Sequence, residues 1–260
     1  MSTISIITIC FNNLEEVIKT CASVDAQGVK PFEHIVIDGS SKEDIRKYLG
    51  HNPQPAYRSW VCERDKGIGD AFNKGVLKAK GEIVYLLNSG DTIYDATVLQ
   101  RVQDTFDKDP QLMWCNGKLN TLRGGIWVLV GKPFEKRKLY RGMRAVFHPT
   151  MYVKKEVYKR HGLYDNDIKY AMDYDFMCRI ANEKNTFINY PLATFDPTGI
   201  SSVNYLKAMK ESHIVYRKYY GNSILQTLWG IRQTMLHYTL QSKAGKILYR
   251  IKKGLGLENM

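Results

Sequence analysis

Residues 85–94, YLLNSGDTIY, end an apolar run in a small polar turn that holds out one carboxylate, Asp91. A strand-end carboxylate beside Gly90 can approach a bound group closely, because the glycine puts no side chain in the way. The same position also suits a cap for a helix beginning near residue 95. Upstream, residues 63–75 (ERDKGIGDAFNKG) gather Glu63, Asp65, Asp70, Asn73 and Lys74 around Gly67 and Gly69 at a strand-to-helix junction. A tight turn with a solvated lysine would explain the glycines but not the density of polar groups. Further along, Asp173 and Asp175 lie two apart in AMDYDFMCR, residues 171–179. On a helix, residues so spaced face different sides, so the two cannot both serve one site as base.

The elements that must position these acids follow from periodicity. Residues 4–10 (ISIITIC) read as a buried strand, and Leu14, Val17, Ile18 and Cys21 recur at helical spacing. The pattern repeats with a strand over 32–38 that ends in Asp38, a helix over 43–49, a strand over 57–63, a helix over 68–79 and a strand over 82–87. Such alternation through the first 108 residues predicts a parallel sheet with helices on its faces. Ligands bind beyond the carboxyl ends of such strands, where Asp38, Asp65 and Asp91 fall. After Pro110 the rhythm changes to strands over 112–117 and 125–131, a basic segment over 132–144, a strand-like run at Met151, a helix over 170–182 and a strand over 187–195. From Tyr205 the pattern is helical, with Leu225, Leu228, Trp229, Arg232, Leu236 and Leu240 spaced for one face.

At 260 residues, 44% hydrophobic and 25% charged, the chain is globular and can bury a substantial core. Its apolar stretches are too short to cross a bilayer, and residues 1–3 lead straight into a strand pattern, so the chain reads as cytosolic. Five cysteines scattered singly indicate neither a zinc site nor a disulfide framework. The net charge of +12 is uneven, because residues 206–260 hold ten Lys/Arg against two Glu. That asymmetry points to an anionic partner for the tail, such as a phospholipid surface, and not to nucleic acid along the whole chain.

Six motifs, in order, resemble the inverting glycosyltransferases of family 2: SIITICFN (5–12), VIDGSS (36–41), residues 63–75, LNSGD (87–91), HPTMY (148–152) and AMDYDFMCR (171–179). The DKGIGDAFNKG and LNSGD pair is most similar to bacterial enzymes that build colanic acid, capsule or O-antigen sugars. The resemblance implies an α/β fold of the A type (GT-A). A nucleotide-sugar-binding α/β sheet with helices on both faces would span 1–110, a mixed acceptor-side half of the same domain 111–205, and a basic amphipathic helical tail 206–260. It implies a donor-nucleotide site made by Thr8, Phe11, Asn12, Asp38, Asp65, Asp70, Asn73 and Lys74, with Phe11 stacking on a uracil ring and Asp38 accepting its N–H. Asp91 matches the last carboxylate of the family's motif for a divalent cation, Mg²⁺ or Mn²⁺, which would neutralise charge on the departing diphosphate. Many relatives have two adjacent Asp there, where this chain has Gly90 and Asp91.

By the same resemblance Asp173 is the base that takes a proton from an acceptor hydroxyl, while His148, Asp175 and Arg179 support the site. Pro149 stands where the family usually has Gln, and residues 199–202 (GISS) resemble a loop that closes over the site. The implied partners are a UDP-sugar or other nucleotide-sugar donor and a saccharide or polyprenyl-diphosphate-linked acceptor at the inner face of the cell membrane. The tail, an apolar stripe followed by basic residues 243–253, suits a bilayer interface or packing on the domain or on a second subunit. Two other readings compete: a sugar-phosphate nucleotidyltransferase, which would want a glycine-rich basic loop after the first strand, and a non-catalytic membrane-associated nucleotide-binding scaffold. Residues 11–16 (FNNLEE) offer no such loop, and retention of Asp91 with Asp173 argues against the scaffold.

Overall fold

Strand β1 (Ile4–Cys10) is buried along its whole length, because helices cover both of its faces. The computed structural model describes residues 1–123, 125–143, 146–195 and 204–242. From β1 the chain runs through α1 (Leu14–Asp25), β2 (Glu33–Asp38), α2 (Asp44–His51), β3 (Arg58–Cys62), α3 (Ile68–Lys78), β4 (Ile83–Leu86), the short β5 (Thr92–Ile93) and α4 (Val98–Lys108). Strands β3, β2, β1 and β4 lie side by side and parallel, as the alternating pattern predicts. Their register pairs Cys10 with Asp38 and Asp38 with Cys62, so three strand ends line up at one edge.

The second half turns this sheet into a mixed one. It adds β6 (Trp114–Arg123), β7 (Ile126–Val130), β8 (Tyr152–Lys154), α5 (Lys155–His161), α6 (Met172–Arg179) and β9 (Asn185–Phe195). β8 joins β4 antiparallel, β6 follows β8 antiparallel, β9 lies parallel to β6, and β5 closes against β9, giving the order β3-β2-β1-β4-β8-β6-β9-β5 with β7 on β6. The stacked rings of Tyr85 and Tyr152, 4.1 Å apart, seal the seam between the halves. Strand β6 runs well past residue 117, through polar positions paired to β7, and α5 is an element that periodicity did not mark. The basic segment holds a 3₁₀ helix, Lys136–Arg141.

Two helices complete the described chain, α7 (Tyr205–Tyr220) and α8 (Ile224–Gln241). The described leucines of the stripe expected on one face of α8 turn outward. Leu225, Leu228 and Leu236 are exposed, whereas Gln226 and Gln233 are buried.

Candidate active site

The sheet's ligand edge is built by loops that hold one another. After β1, Asn12 takes a left-handed φ of 53° that asparagine tolerates, and its backbone N–H donates to Ser40 Oγ at 2.7 Å. Asn13 donates to Ser89 Oγ at 2.7 Å, joining the β1 loop to the turn after β4. Asp38 is buried at the end of β2, where Oδ1 accepts the Ser40 N–H at 2.9 Å. A β-carbon on Gly39 would lie 1.8 Å from Asp65 Oδ2, so the glycine allows the Asp65 carboxylate to rest against the end of β2. Asp65 also accepts the Gly67 N–H at 2.9 Å, and Asp70 accepts that of Lys66 at 2.9 Å. Lys74 reaches the Arg64 carbonyl at 2.6 Å and lies 3.5 Å from Asp70. Phe11 stands 62% exposed above this edge, a flat apolar face free to meet a base.

Asp91 closes the turn after β4 and is buried. Thr20 of α1 staples this turn: its hydroxyl donates to the Asp91 carbonyl at 2.7 Å and accepts the Gly90 N–H at 3.0 Å. Gly90 sits at φ +98°, a conformation that a side chain there would strain. No three His, Cys, Asp or Glu side chains converge as a metal cage among the described residues. The turn offers the Asp91 carboxylate and the buried Oδ1 of Asn88, which has no hydrogen-bond partner among the described residues. Hard oxygens in such small number fit a divalent cation that takes its other ligands from a diphosphate and water.

The second half packs against the start of α3. Asn73 of α3 donates to the Tyr164 carbonyl at 2.9 Å and accepts the Tyr164 N–H at 2.8 Å, fastening α3 to the loop that precedes α6. A β-carbon at Gly69 would lie 3.5 Å from the sulfur of Met172, so the starts of α3 and α6 touch. Asp173 is the next residue along α6. It is half-buried in the first turn of α6, its Oδ1 accepting the Tyr174 N–H at 2.8 Å. Burial, with a smaller contribution from the nearby charge of Glu211, raises its pKa to about 6 against the pull of backbone N–H groups.

Asp175 faces the other way. It is buried on Arg179 Nε at 3.0 Å and the Tyr219 hydroxyl at 2.8 Å, with Lys218 at 3.4 Å. Arg179 also donates to the carbonyls of Gly162 at 2.9 Å and Leu163 at 2.8 Å, so this pair braces the loop leading to Tyr164. His148 begins a 3₁₀ turn, with its ring 5.1 Å from that of Phe72 and Nε2 3.5 Å from the Tyr164 hydroxyl. Burial lowers its pKa to about 4, leaving a neutral imidazole.

Two expectations change. Thr8 is fully buried in β1, where its hydroxyl oxygen accepts from His34 Nε2 at 2.9 Å, so its side chain lies away from the exposed ligand edge. Asn73 is likewise buried, with its amide committed to the 164–166 loop, and acts by joining the two halves. Residues 199–202 lie outside the described residues. Sequence reasoning missed Glu211 of α7, whose carboxylate accepts the backbone N–H groups of Lys169 at 3.0 Å, Tyr170 at 2.5 Å and Ala171 at 2.7 Å. Its signal was slight: a lone acid in a helix whose other charges are Lys207, Lys210, Arg217 and Lys218.

The family model described as glycosyl transferase family 2 matches residues 5–162. An uncharacterised glycosyltransferase of Mycobacterium tuberculosis, MT1564, is 34% identical over 209 residues, 77% of this chain and 77% of its own. Among solved structures, S. aureus TarS (residues 1–349) in complex with UDP superposes with a TM-score of 0.62 at 16% identity, covering 93% of this chain and 72% of that one. Of the longer TarS chain this protein spans 44%. The mannosyltransferase PcManGT from Pyrobaculum calidifontis, in complex with GDP-Man and Mn²⁺, superposes with a TM-score of 0.61 at 14% identity over 99% of this chain and 81% of that one. These likenesses show the A-type fold expected from the motifs: a curled mixed sheet flanked by helices, followed here by two C-terminal helices.

Proposed function

The chain belongs to glycosyl transferase family 2, and on that premise we propose that it is an inverting enzyme that moves a sugar from a UDP-sugar to a lipid-linked saccharide acceptor. The observation that supports this reading is the contact between the starts of α3 and α6, where Gly69 meets Met172, the residue before Asp173. Phe11, Asn12, Asp38, Asp65 and Asp70 line the donor's nucleoside side, with Lys74 holding the Asp70 loop in shape. The acceptor oxygen attacks the anomeric carbon as its proton passes to Asp173. The bond from that carbon to the diphosphate oxygen breaks on the opposite face, and its electron pair leaves with the nucleoside diphosphate. One displacement inverts the stereochemistry. A carboxylate titrating near 6 is mostly ionised at neutral pH yet basic enough to accept a proton. Asp91 would hold a divalent cation, which when bound supplies positive charge to the leaving diphosphate.

Neutral His148 and Tyr164 present polar atoms beneath the same region, and Asp175 with Arg179 keeps α6 in place. On this reading residues 1–110 bind the donor, 111–205 complete the site and 206–260 meet the membrane. The enzyme would work at the cytoplasmic face of a bacterial membrane, in the synthesis of a surface polysaccharide such as colanic acid, capsule or O-antigen. In support, no helix among the described residues is long and apolar enough to cross a membrane, while the tail is basic. The test is thermal unfolding with UDP, GDP, dTDP or CDP, each with and without Mn²⁺, followed by turnover with sugars of the nucleotide that stabilises. Stabilisation by UDP that grows with Mn²⁺ is expected, and its absence with every diphosphate would overturn the donor assignment.

A further inference from the structure

Helix α8 is folded inside out relative to a helix that packs on a core. Its buried positions are polar or small: Gln226 donates to the His213 carbonyl at 3.3 Å, Gln233 accepts from the Tyr205 hydroxyl at 3.3 Å, and Gly230 lies against the His213 ring. Its outward positions are mainly apolar, with Thr227, Arg232 and Thr239 the exposed polar residues among those described. Ile224, Leu225, Leu228, Ile231, Met235 and Leu236 form one stripe, with exposures from 40% at Leu236 to 80% at Ile224. Arg232 is the only charged residue on the helix, and its guanidinium lies 5.0 Å from the Trp229 ring. A water-facing helix of this composition exposes a contiguous patch that calls for a partner.

Charge identifies the partner. Lys207, Lys210, Arg217 and Lys218 are exposed on α7, and five more Lys/Arg follow between residues 243 and 253. Pairing with a second copy through a two-fold axis would bring this positive charge against itself, whereas an anionic lipid surface complements it. We propose that the outward face of α8 docks in the plane of an anionic phospholipid bilayer, with Leu228, Ile231 and Met235 among the upper acyl chains and the flanking basic residues on the headgroups. Since α8 packs on α7 and α7 holds α6 through Glu211, docking would set the membrane two helices from Asp173. That consequence rests on the transferase reading, while the docking itself does not.

The test is co-sedimentation of the full chain, without donor, on vesicles of phosphatidylcholine alone and of phosphatidylcholine mixed with phosphatidylglycerol. Binding to the mixed vesicles, weakened by salt, is expected. The double substitution Leu228→Ser with Met235→Ser changes only exposed side chains, so thermal unfolding should be unaltered while the partition coefficient drops by about tenfold or more. Three results would overturn the proposal: no binding to anionic vesicles, undiminished binding by the double variant, or a concentration-dependent dimer that this variant abolishes. Because no donor is present, the result is independent of turnover, which is measured separately with a soluble acceptor.

Discussion

The carboxylate of Glu211 accepts the backbone N–H of Ala171 at 2.7 Å, two residues before Asp173. With the Lys169 and Tyr170 N–H groups on the same carboxylate, one side chain from α7 fixes the segment entering α6 at three successive backbone donors, the last being that of the N-cap residue Ala171. A negative charge at a helix start is also favoured by the helix dipole. A segment that would otherwise be an appendage thus orients the base. Glu211→Ala should lower kcat well beyond any change in donor KM and reduce stability by about 2 kcal/mol. Glu211→Gln, which keeps an acceptor oxygen, should recover part of both. Equal turnover in the alanine variant would remove the positioning role.

Asp173 carries a pH dependence of definite sign. Its native pKa is about 6, above the ordinary aspartate value of 3.8, so the folded state binds the extra proton and is destabilised as pH rises through that window. Turnover, which needs the carboxylate, should rise over the same window with a midpoint near 6. Asp173→Asn should therefore abolish transfer yet be more stable than the parent above that midpoint, by on the order of 1 kcal/mol, with UDP binding kept. Urea unfolding as a function of pH, beside a pH–rate profile, reads both effects.

Gly90 and Asp91 separate backbone from charge. Gly90→Asp would restore the paired acids found in many relatives, but at φ +98° it should destabilise the turn by about 1–2 kcal/mol. Asp91→Ala should leave UDP stabilisation without metal largely intact and remove the increment added by Mn²⁺. Thermal shifts with and without the cation distinguish the two, and an unchanged Mn²⁺ increment in Asp91→Ala would exclude that residue as the cation's ligand.

Beneath the sheet's surface, His34 Nδ1 accepts from Arg58 Nε at 3.0 Å, so Nε2 carries the proton donated to Thr8. Arg58 continues the chain to Asp25 at 2.6 Å. Burial and the guanidinium lower the His34 pKa to about 3. The unfolded chain then binds more protons than the native one, and stability should fall as pH drops from about 6.5 toward 3. His34→Gln should flatten that part of the stability curve. Arg58→Ala, which leaves Asp25 and His34 without their shared partner, should cost about 3 kcal/mol at neutral pH.

Much of the frame was legible in the sequence because it is local. Apolar runs at residues 4–10 and 32–38, with helical spacing between them, specify parallel strands whose ends present Asp38, Asp65 and Asp91, since the connection between parallel strands allows few alternatives. The two-residue offset of Asp173 and Asp175 likewise fixes that they diverge, as a property of helix geometry. What lay beyond the sequence is which surface covers which. Thr8 and Asn73 have the chemistry of ligand contacts, yet their hydroxyl and amide are consumed by His34 and by Tyr164, 91 residues away in the latter case. Glu211 meets Ala171 across 40 residues, and no period in either segment encodes that meeting. The stripe on α8 shows the reason most simply. Periodicity determines that apolar and polar residues occupy opposite faces, but only packing against α7 decided that Gln226 and Gln233 go inside and that Leu228 and Met235 remain for a partner.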